Sequence, residues 1–263
     1  GRGWWCSTGN RPNTTTRVLI VAGDAAPPLL RATMRTRVVV FGRLPVAGRV
    51  KTRLAATLGD AAALAVHRRL LDASFALAEA SGADTLEWRH DDAGAASDGD
   101  AASMPAALAA RGWRVGPQRG ADLGARMHEA LAAALAQGER PVLVGSDCPS
   151  LRATDLRDAF RALDAVDAVF APAEDGGYAL VGLRRAAPAL FEHVPWGTDR
   201  VMARTRAHAA AAGLRIAELR TVWDVDVEAD LRRWEADLRR WEAELPSSGG
   251  ARPGAGPVGP GSA

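Results

Sequence analysis

Val38-Val39-Val40-Phe41-Gly42-Arg43-Leu44-Pro45-Val46-Ala47-Gly48-Arg49-Val50-Lys51-Thr52-Arg53 is the stretch that decides the fold class. Its first four residues are apolar without alternation and mostly β-branched, the pattern of a strand covered on both faces. Gly42 ends the run, and the loop beyond it carries Gly48 and the cations Arg43, Arg49, Lys51 and Arg53. In an open α/β sheet, ligands gather beyond the carboxyl ends of the strands, where glycine and cations suit a polyphosphate. The spacing from Gly48 to Lys51 is neither that of a Walker loop nor that of a G-x-G-x-x-G turn. The plain alternative is a basic surface loop capping the next helix, although cations so crowded repel one another unless an anion joins them.

Composition sharpens the focus on this loop. Of the 33 basic residues Lys51 is the single lysine, and Tyr178 is the single tyrosine. The 263 residues suffice for one large α/β domain. A net charge of +2 is too balanced to supply a nucleic-acid footprint. No apolar run approaches the length of a membrane span. Cys6 and Cys148 lie far apart, and Cys6 falls in an N-terminal stretch that reads as disordered, so a disulfide or thiolate metal site has little support and a reducing cytoplasm is the expected setting.

Outward from the first strand, apolar runs alternate with alanine-rich helical runs, the signature of βαβ units. Strands are expected at 38–41, 85–88, 113–115, 142–144, 168–171, 178–183 and 215–219, and helices at 61–80, 122–136, 154–163 and 199–212. The second strand is followed by a Gly/Ala/Ser/Asp loop expected at 91–103. The expected fold class is α/β, a three-layer α/β/α sandwich around a mostly parallel sheet. Residues 1–33 read as a dispensable, disordered extension, with Met34 the better start and no ordered signal-peptide pattern. Residues 246–263 hold six Gly and four Pro and read as a disordered tail. A single folded domain is therefore expected at 35–245. Its last helix repeats ADLRRWE at 229–235 and 236–242, placing Leu231, Trp234, Leu238, Trp241 and Leu245 on one seam. Packing on its own domain is the favoured use of that seam, and pairing with a second copy is the alternative.

Several other segments could carry chemistry. In Gly145-Ser146-Asp147-Cys148-Pro149, Asp147 follows a central strand and could share an Mg²⁺ or Mn²⁺ with substrate phosphates; a plain turn is the alternative. Cys148 has no neighbouring His and reads as a small filler. Glu174-Asp175-Gly176-Gly177-Tyr178 is an acidic turn whose second glycine could admit a ligand close to the backbone. In Trp223-Asp224-Val225-Asp226 both carboxylates share one side of an extended segment, and Asp226 could complete a metal site with Asp147 or simply cap a helix. The run from Gln118 through Gly120 to Arg126 opens a helix, and Trp196 in Pro195-Trp196-Gly197-Thr198 could serve as a stacking platform for a sugar. The five histidines show no ligand spacing, which argues against zinc, and no G-x-S-x-G nucleophile elbow occurs.

In order, LPVAGRVKTRL, QRGADLGARM, VGSDCPSL, PAEDGGYALVGL, VPWGTDRV and WDVDVEADL resemble the rSAM/selenodomain-associated transferase family over about residues 35–234. That family is labelled a glycosyltransferase and linked in some settings to arsenosugar synthesis. The resemblance implies the nucleotide-diphospho-sugar transferase fold, which GT-A glycosyltransferases share with the nucleotidyltransferases that load molybdopterin or phospholactate. It implies that Gly48, Lys51 and Arg53 contact nucleotide phosphates, and that Asp147 replaces the metal-binding acidic motif. The full expected set is Gly48, Arg49, Lys51, Arg53, Gln118 and Gly120 for the nucleotide, Tyr178 and Trp196 for the acceptor, Asp147 and Asp226 for Mg²⁺ or Mn²⁺, and Asp147 and Asp175 as catalytic residues. The chain departs from the Asp-x-Asp of glycosyltransferases, having Ser146-Asp147-Cys148. A lone Asp joined by a late carboxylate is the nucleotidyltransferase style. Three readings follow: a metal-dependent glycosyltransferase with a nucleotide-sugar donor and a small-molecule acceptor, a nucleotidyltransferase releasing pyrophosphate, and a nonenzymatic nucleotide-binding module.

Overall fold

The computed structural model describes residues 34–91 and 100–244. The expectations for residues 1–33 and 246–263, and for most of the 91–103 loop, lie outside the described residues. Seven strands form one sheet: β1 (Arg35–Gly42), β2 (Thr85–His90), β3 (Arg114–Pro117), β4 (Glu139–Gly145), β5 (Ala168–Pro172), β6 (Tyr178–Leu183) and β7 (Ile216–Glu218). Their order is β3-β2-β1-β4-β6-β5-β7, parallel except for β6. β6 runs backwards because the short turn at 173–177 leads straight out of β5, too short for a parallel crossover.

Helices α1 (Thr52–Leu58), α2 (Asp60–Ser81), α3 (Asp100–Ala110), α4 (Leu123–Ala136), α5 (Ala153–Ala162), α6 (Val201–Ala211) and α7 (Glu228–Glu244) complete the described fold, with a 3₁₀ turn at Pro188–Leu190. β1 shows how the layers arise. Val38 and Val40 face Leu71 and Phe75 of α2, Leu108 of α3 and Leu156 of α5. Val39 and Phe41 face Met127 and Leu131 of α4 and Met202 of α6. The two-residue side-chain period thus divides one apolar run between two cores. On α2 the buried stripe is Val66, His67, Leu70, Leu71, Ser74 and Phe75, whereas Leu64 and Leu77 are only half-buried.

Two helices were not expected. α1 begins directly at Thr52 inside what reads as loop, and α3 begins at Asp100 inside the Gly/Ala/Ser/Asp segment. The repeat of α7 is used for the favoured purpose: Leu231 and Trp234 are buried against Leu54, Val66, Leu70 and Val225, and Leu238 packs beside them. Arg69 lies over the Trp234 ring at 4.8 Å. The side chain of Trp241, and Leu245, lie outside the described residues. No helix among the described residues is long and apolar enough to cross a membrane.

The chain winds outward from β1 through β2 to β3, then returns to the other side of β1 as β4. The carboxyl ends of β1 and β4 therefore flank a topological switch point, where adjacent connections leave on opposite faces and open a crevice. At the opposite end of these strands, Arg37 is fully buried, with Nη1 donating to Glu87 at 2.8 Å and Nη2 to Gln137 at 2.8 Å. Its Nε and Nη2 also reach Glu139, which accepts from Arg35 Nη2 at 3.1 Å and Thr85 Oγ1 at 3.0 Å. This network locks the start of β1 to β2 and β4 far from the crevice.

Candidate functional site

A cavity of about 540 Å³ occupies the switch point, lined among others by Gly42, Arg43, Lys51, Arg53, His67, Asp91, Gln118, Asp147, Tyr178 and Asp226. Lys51 is its central cation. The backbone there is left-handed, with φ 46° and ψ 47°, a conformation that a non-glycine residue adopts only when its surroundings hold it. What holds it is the side chain: Nζ donates to Asp147 Oδ2 at 2.8 Å and to the Val225 carbonyl at 2.7 Å. The ammonium ties together the loops after β1 and β4 and the segment before α7. Its side chain is only 6% exposed, so the solvated basic loop of the plain alternative is overturned at this residue.

Asp147 is half-exposed. Partial burial raises its carboxyl, but the charge and hydrogen bond of Lys51 outweigh that, and its pKa lies below the ordinary carboxylate value. Asp226 pairs with Arg53 rather than capping α7. That task falls to Asp230, whose Oδ2 accepts from the backbone of Asp226 at 3.0 Å and Val227 at 2.9 Å. The two expected metal carboxylates therefore line one cavity, each already facing a cation.

Two side chains of this site, His67 and Asp91, are not apparent in the sequence. His67 sits in a polar-looking run of α2 yet is buried, with Nε2 3.0 Å from the Arg43 carbonyl. A carbonyl only accepts, so Nε2 carries the proton. Burial lowers the His67 pKa, helped by Lys51, which keeps the ring a neutral brace for the loop. Asp224, half-buried between Trp223 and Val225, has its carboxyl pushed up to about 6 by burial and by the charges of Asp175 and Asp147. Negative charge is thus concentrated on this rim.

The remaining expected residues divide. Gln118 and Tyr178 line the cavity, whereas Gly48, Arg49, Gly120, Asp175 and Trp196 do not. Asp175 is exposed, and its Oδ1 accepts from Gly177 N at 2.9 Å, which makes it a turn residue as it stands. The closely packed glycine is Gly176, at φ 88°, where a Cβ would collide with the Asp199 carbonyl. Its neighbour is this chain's own backbone rather than a ligand. Trp196 is half-buried, and a Cβ on Gly124 would approach its ring to 2.8 Å; it backs the Tyr178 ring at 6.2 Å edge-on instead of presenting an open stacking face. Cys148 is buried against the Trp223 carbonyl at 3.0 Å, and burial pushes its thiol up to about 11, so the filler reading holds.

Among the described residues no cluster of three or more His, Cys, Asp or Glu is arranged to hold a metal ion alone. The donor set present still suits Mg²⁺ or Mn²⁺, because such ions take one or two carboxylates and complete their shell with water and substrate phosphates. Asp147 and Asp226 supply that number from one cavity wall.

Residues 76–198 match a family described as an uncharacterized protein conserved in bacteria (DUF2064). No curated protein matches the sequence. Among solved structures, a candidate nucleotide-diphospho-sugar transferase from Desulfovibrio desulfuricans G20 is 28% identical with a TM-score of 0.66, covering 81% of this chain and 89% of its own. A nucleotidyl transferase from Methanothermobacter is 16% identical with a TM-score of 0.55, covering 80% of this chain and 100% of its own. The inositol-1-phosphate CTP transferase from T. maritima is 12% identical with a TM-score of 0.52, covering 81% of this chain and 98% of its own. The last two share the fold alone. The protein has the mixed α/β fold of nucleotide-diphospho-sugar transferases, and its structural neighbours are nucleotidyl and nucleotide-sugar transferases.

Proposed function

We propose that the protein is a divalent-metal-dependent transferase that binds a nucleoside diphosphate group at the β1/β4 switch point and transfers the attached sugar to a small-molecule acceptor. The observation that carries this reading is Lys51, held in a left-handed conformation between Asp147 and the Val225 carbonyl at the mouth of the cavity. A buried ammonium beside a half-exposed carboxylate offers a fixed cation to phosphate and a carboxylate to a metal ion. Arg43 and Arg53 add charge along the same wall, and His67 holds the Arg43 carbonyl in place. Likeness to the Desulfovibrio protein and the resemblance to rSAM/selenodomain-associated transferases favour a nucleotide-sugar donor.

In that reaction the bond between the anomeric carbon and the β-phosphate oxygen breaks, the acceptor's nucleophile bonds to that carbon, and the nucleoside diphosphate leaves. Asp147 and Asp226 would hold Mg²⁺ or Mn²⁺, which when bound supplies charge neutralisation of the leaving diphosphate. Lys51 and Arg53 stabilise the same charge from the loop. Asp175, on the exposed 174–177 turn outside the cavity, would take the acceptor's proton through the oxygen not engaged by Gly177 N. Gly48, Arg49, Gly120 and Trp196 shape these elements from outside the cavity.

One observation favours a second reading, nucleotidyl transfer. Asp147 stands alone on its strand end, with Gly145 and Pro149 at the two positions where Asp-x-Asp would place a second carboxylate, and its companion carboxylate comes from the far end of the domain. Product analysis separates the two. We expect purified protein with Mg²⁺ or Mn²⁺ to release nucleoside diphosphate and free sugar slowly from its preferred nucleotide sugar, and to lose this in Asp147→Asn. Pyrophosphate release from a nucleoside triphosphate with a phosphorylated acceptor, and no turnover of any nucleotide sugar, would reverse the order of the readings.

A further inference from the structure

The cavity continues past the phosphate loop to the ends of β2 and β3, where Asp91 and Gln118 lie. Gln118 is fixed from its backbone, its N donating to the His90 carbonyl at 2.7 Å. Its Nε2 donates to two carbonyls, Gly42 O at 3.3 Å and Arg89 O at 3.1 Å. Both partners only accept, so the orientation of the amide is settled: both N–H groups are spent on the backbone, and Oε1 is left as an acceptor. Asp91 is anchored similarly, with its N donating to the same Gly42 carbonyl at 3.2 Å and its Oδ1 accepting from Leu44 N at 2.8 Å. No donor among the described residues reaches Asp91 Oδ2 or Gln118 Oε1. Two half-buried acceptors without a donor among the described residues therefore line the cavity together, joined through the Gly42 carbonyl. From β3 to β4 is three strand spacings, roughly 14 Å, which leaves room for a nucleoside to lie across the strand ends.

We propose that Asp91 and Gln118 form the base subsite and select guanine. This rests on the nucleotide reading above and adds to it the identity of the base. Two such acceptors require a base edge with two adjacent donors, and among the four common bases guanine alone presents a ring N–H beside an amino group. Adenine and cytosine place a ring-nitrogen lone pair next to the amino group, and uracil flanks its single N–H with carbonyl oxygens, so each offers one donor group to the pair of acceptors where guanine offers two. An unmatched buried polar group costs more than a made bond returns, which turns this pattern into discrimination.

The test is calorimetric titration of the full chain with GDP, ADP, CDP, UDP and XDP, each with Mg²⁺, on wild type and Asp91→Asn. The asparagine keeps the bond to Leu44 N through its oxygen but replaces the second acceptor by a donor, which suits the 2-carbonyl of xanthine. We expect wild type to bind GDP roughly 10- to 100-fold tighter than the others, and Asp91→Asn to reverse the order of GDP and XDP. Equal affinities, or a different base bound most tightly by wild type, would overturn the base assignment while leaving nucleotide binding in place. An Asp91→Asn variant that melts like wild type and still prefers GDP would overturn the role of Asp91. Failure of every diphosphate to bind would overturn the nucleotide reading itself.

Discussion

Lys51→Ala is expected to weaken nucleoside diphosphate binding by about 10- to 100-fold, the range for losing charge-assisted hydrogen bonds to phosphate. The same change should lower stability by about 1–3 kcal/mol, because the ammonium bonds to Asp147 and Val225 while only 6% exposed. Asp147 is half-exposed and can rehydrate, which limits that cost. Lys51→Arg should not restore affinity, since a planar fork cannot occupy the place of a compact ammonium held between a carboxylate and a carbonyl. Titration of a diphosphate against both variants, alongside their melting curves, checks this. Unchanged affinity in Lys51→Ala would remove the loop from the site.

The other large effect lies at the opposite end of the sheet. Arg37→Met should destabilise the protein by about 3–5 kcal/mol, the cost of leaving buried carboxylates without their cation. Glu87 and Glu139 are 5% and 2% exposed, and Arg37 is the cation that bridges them. Arg89 and Arg35 remain as partial partners, which keeps the loss from being larger. In a domain of this size the change corresponds to a melting temperature lower by on the order of 10 °C. Diphosphate affinity of the folded fraction should stay the same, because the network sits at the amino ends of strands whose carboxyl ends bear the cavity. An unaltered melting temperature would show that the network contributes nothing net.

Much of this architecture is legible from local pattern. The run at 38–41 appears as β1, extended at both ends, and the expected strand at 178–183 is β6. Lys51 and Asp147 are readable as candidates because each follows a strand end, but their contact spans 96 residues and no local pattern encodes it. α1 is hidden because its first turn follows a left-handed Lys51, a start without a side-chain cap. His67 and Asp91 escape notice for opposite reasons. His67 sits among arginines on a helix whose buried stripe includes it, and Asp91 opens a run of small and acidic residues that reads as solvent-facing loop. Trp196 shows the converse error. A tryptophan beside glycine looks exposed in sequence, yet the missing Cβ of Gly124 lets it pack against α4. The acidic turn at 174–177 also looks like a ligand contact, although Gly176 is required by the approach of Asp199.

Whether a diphosphate and a divalent cation share the cavity beside the Lys51–Asp147 pair is decided by Mn²⁺ binding followed by electron paramagnetic resonance. It is measured with and without the diphosphate that binds most tightly, in wild type, Asp147→Asn and Asp226→Asn. The diphosphate is expected to tighten Mn²⁺ binding in wild type, Asp147→Asn to remove this gain and Asp226→Asn to reduce it. Mn²⁺ binding that ignores the diphosphate, or that survives both substitutions unchanged, would contradict the shared site.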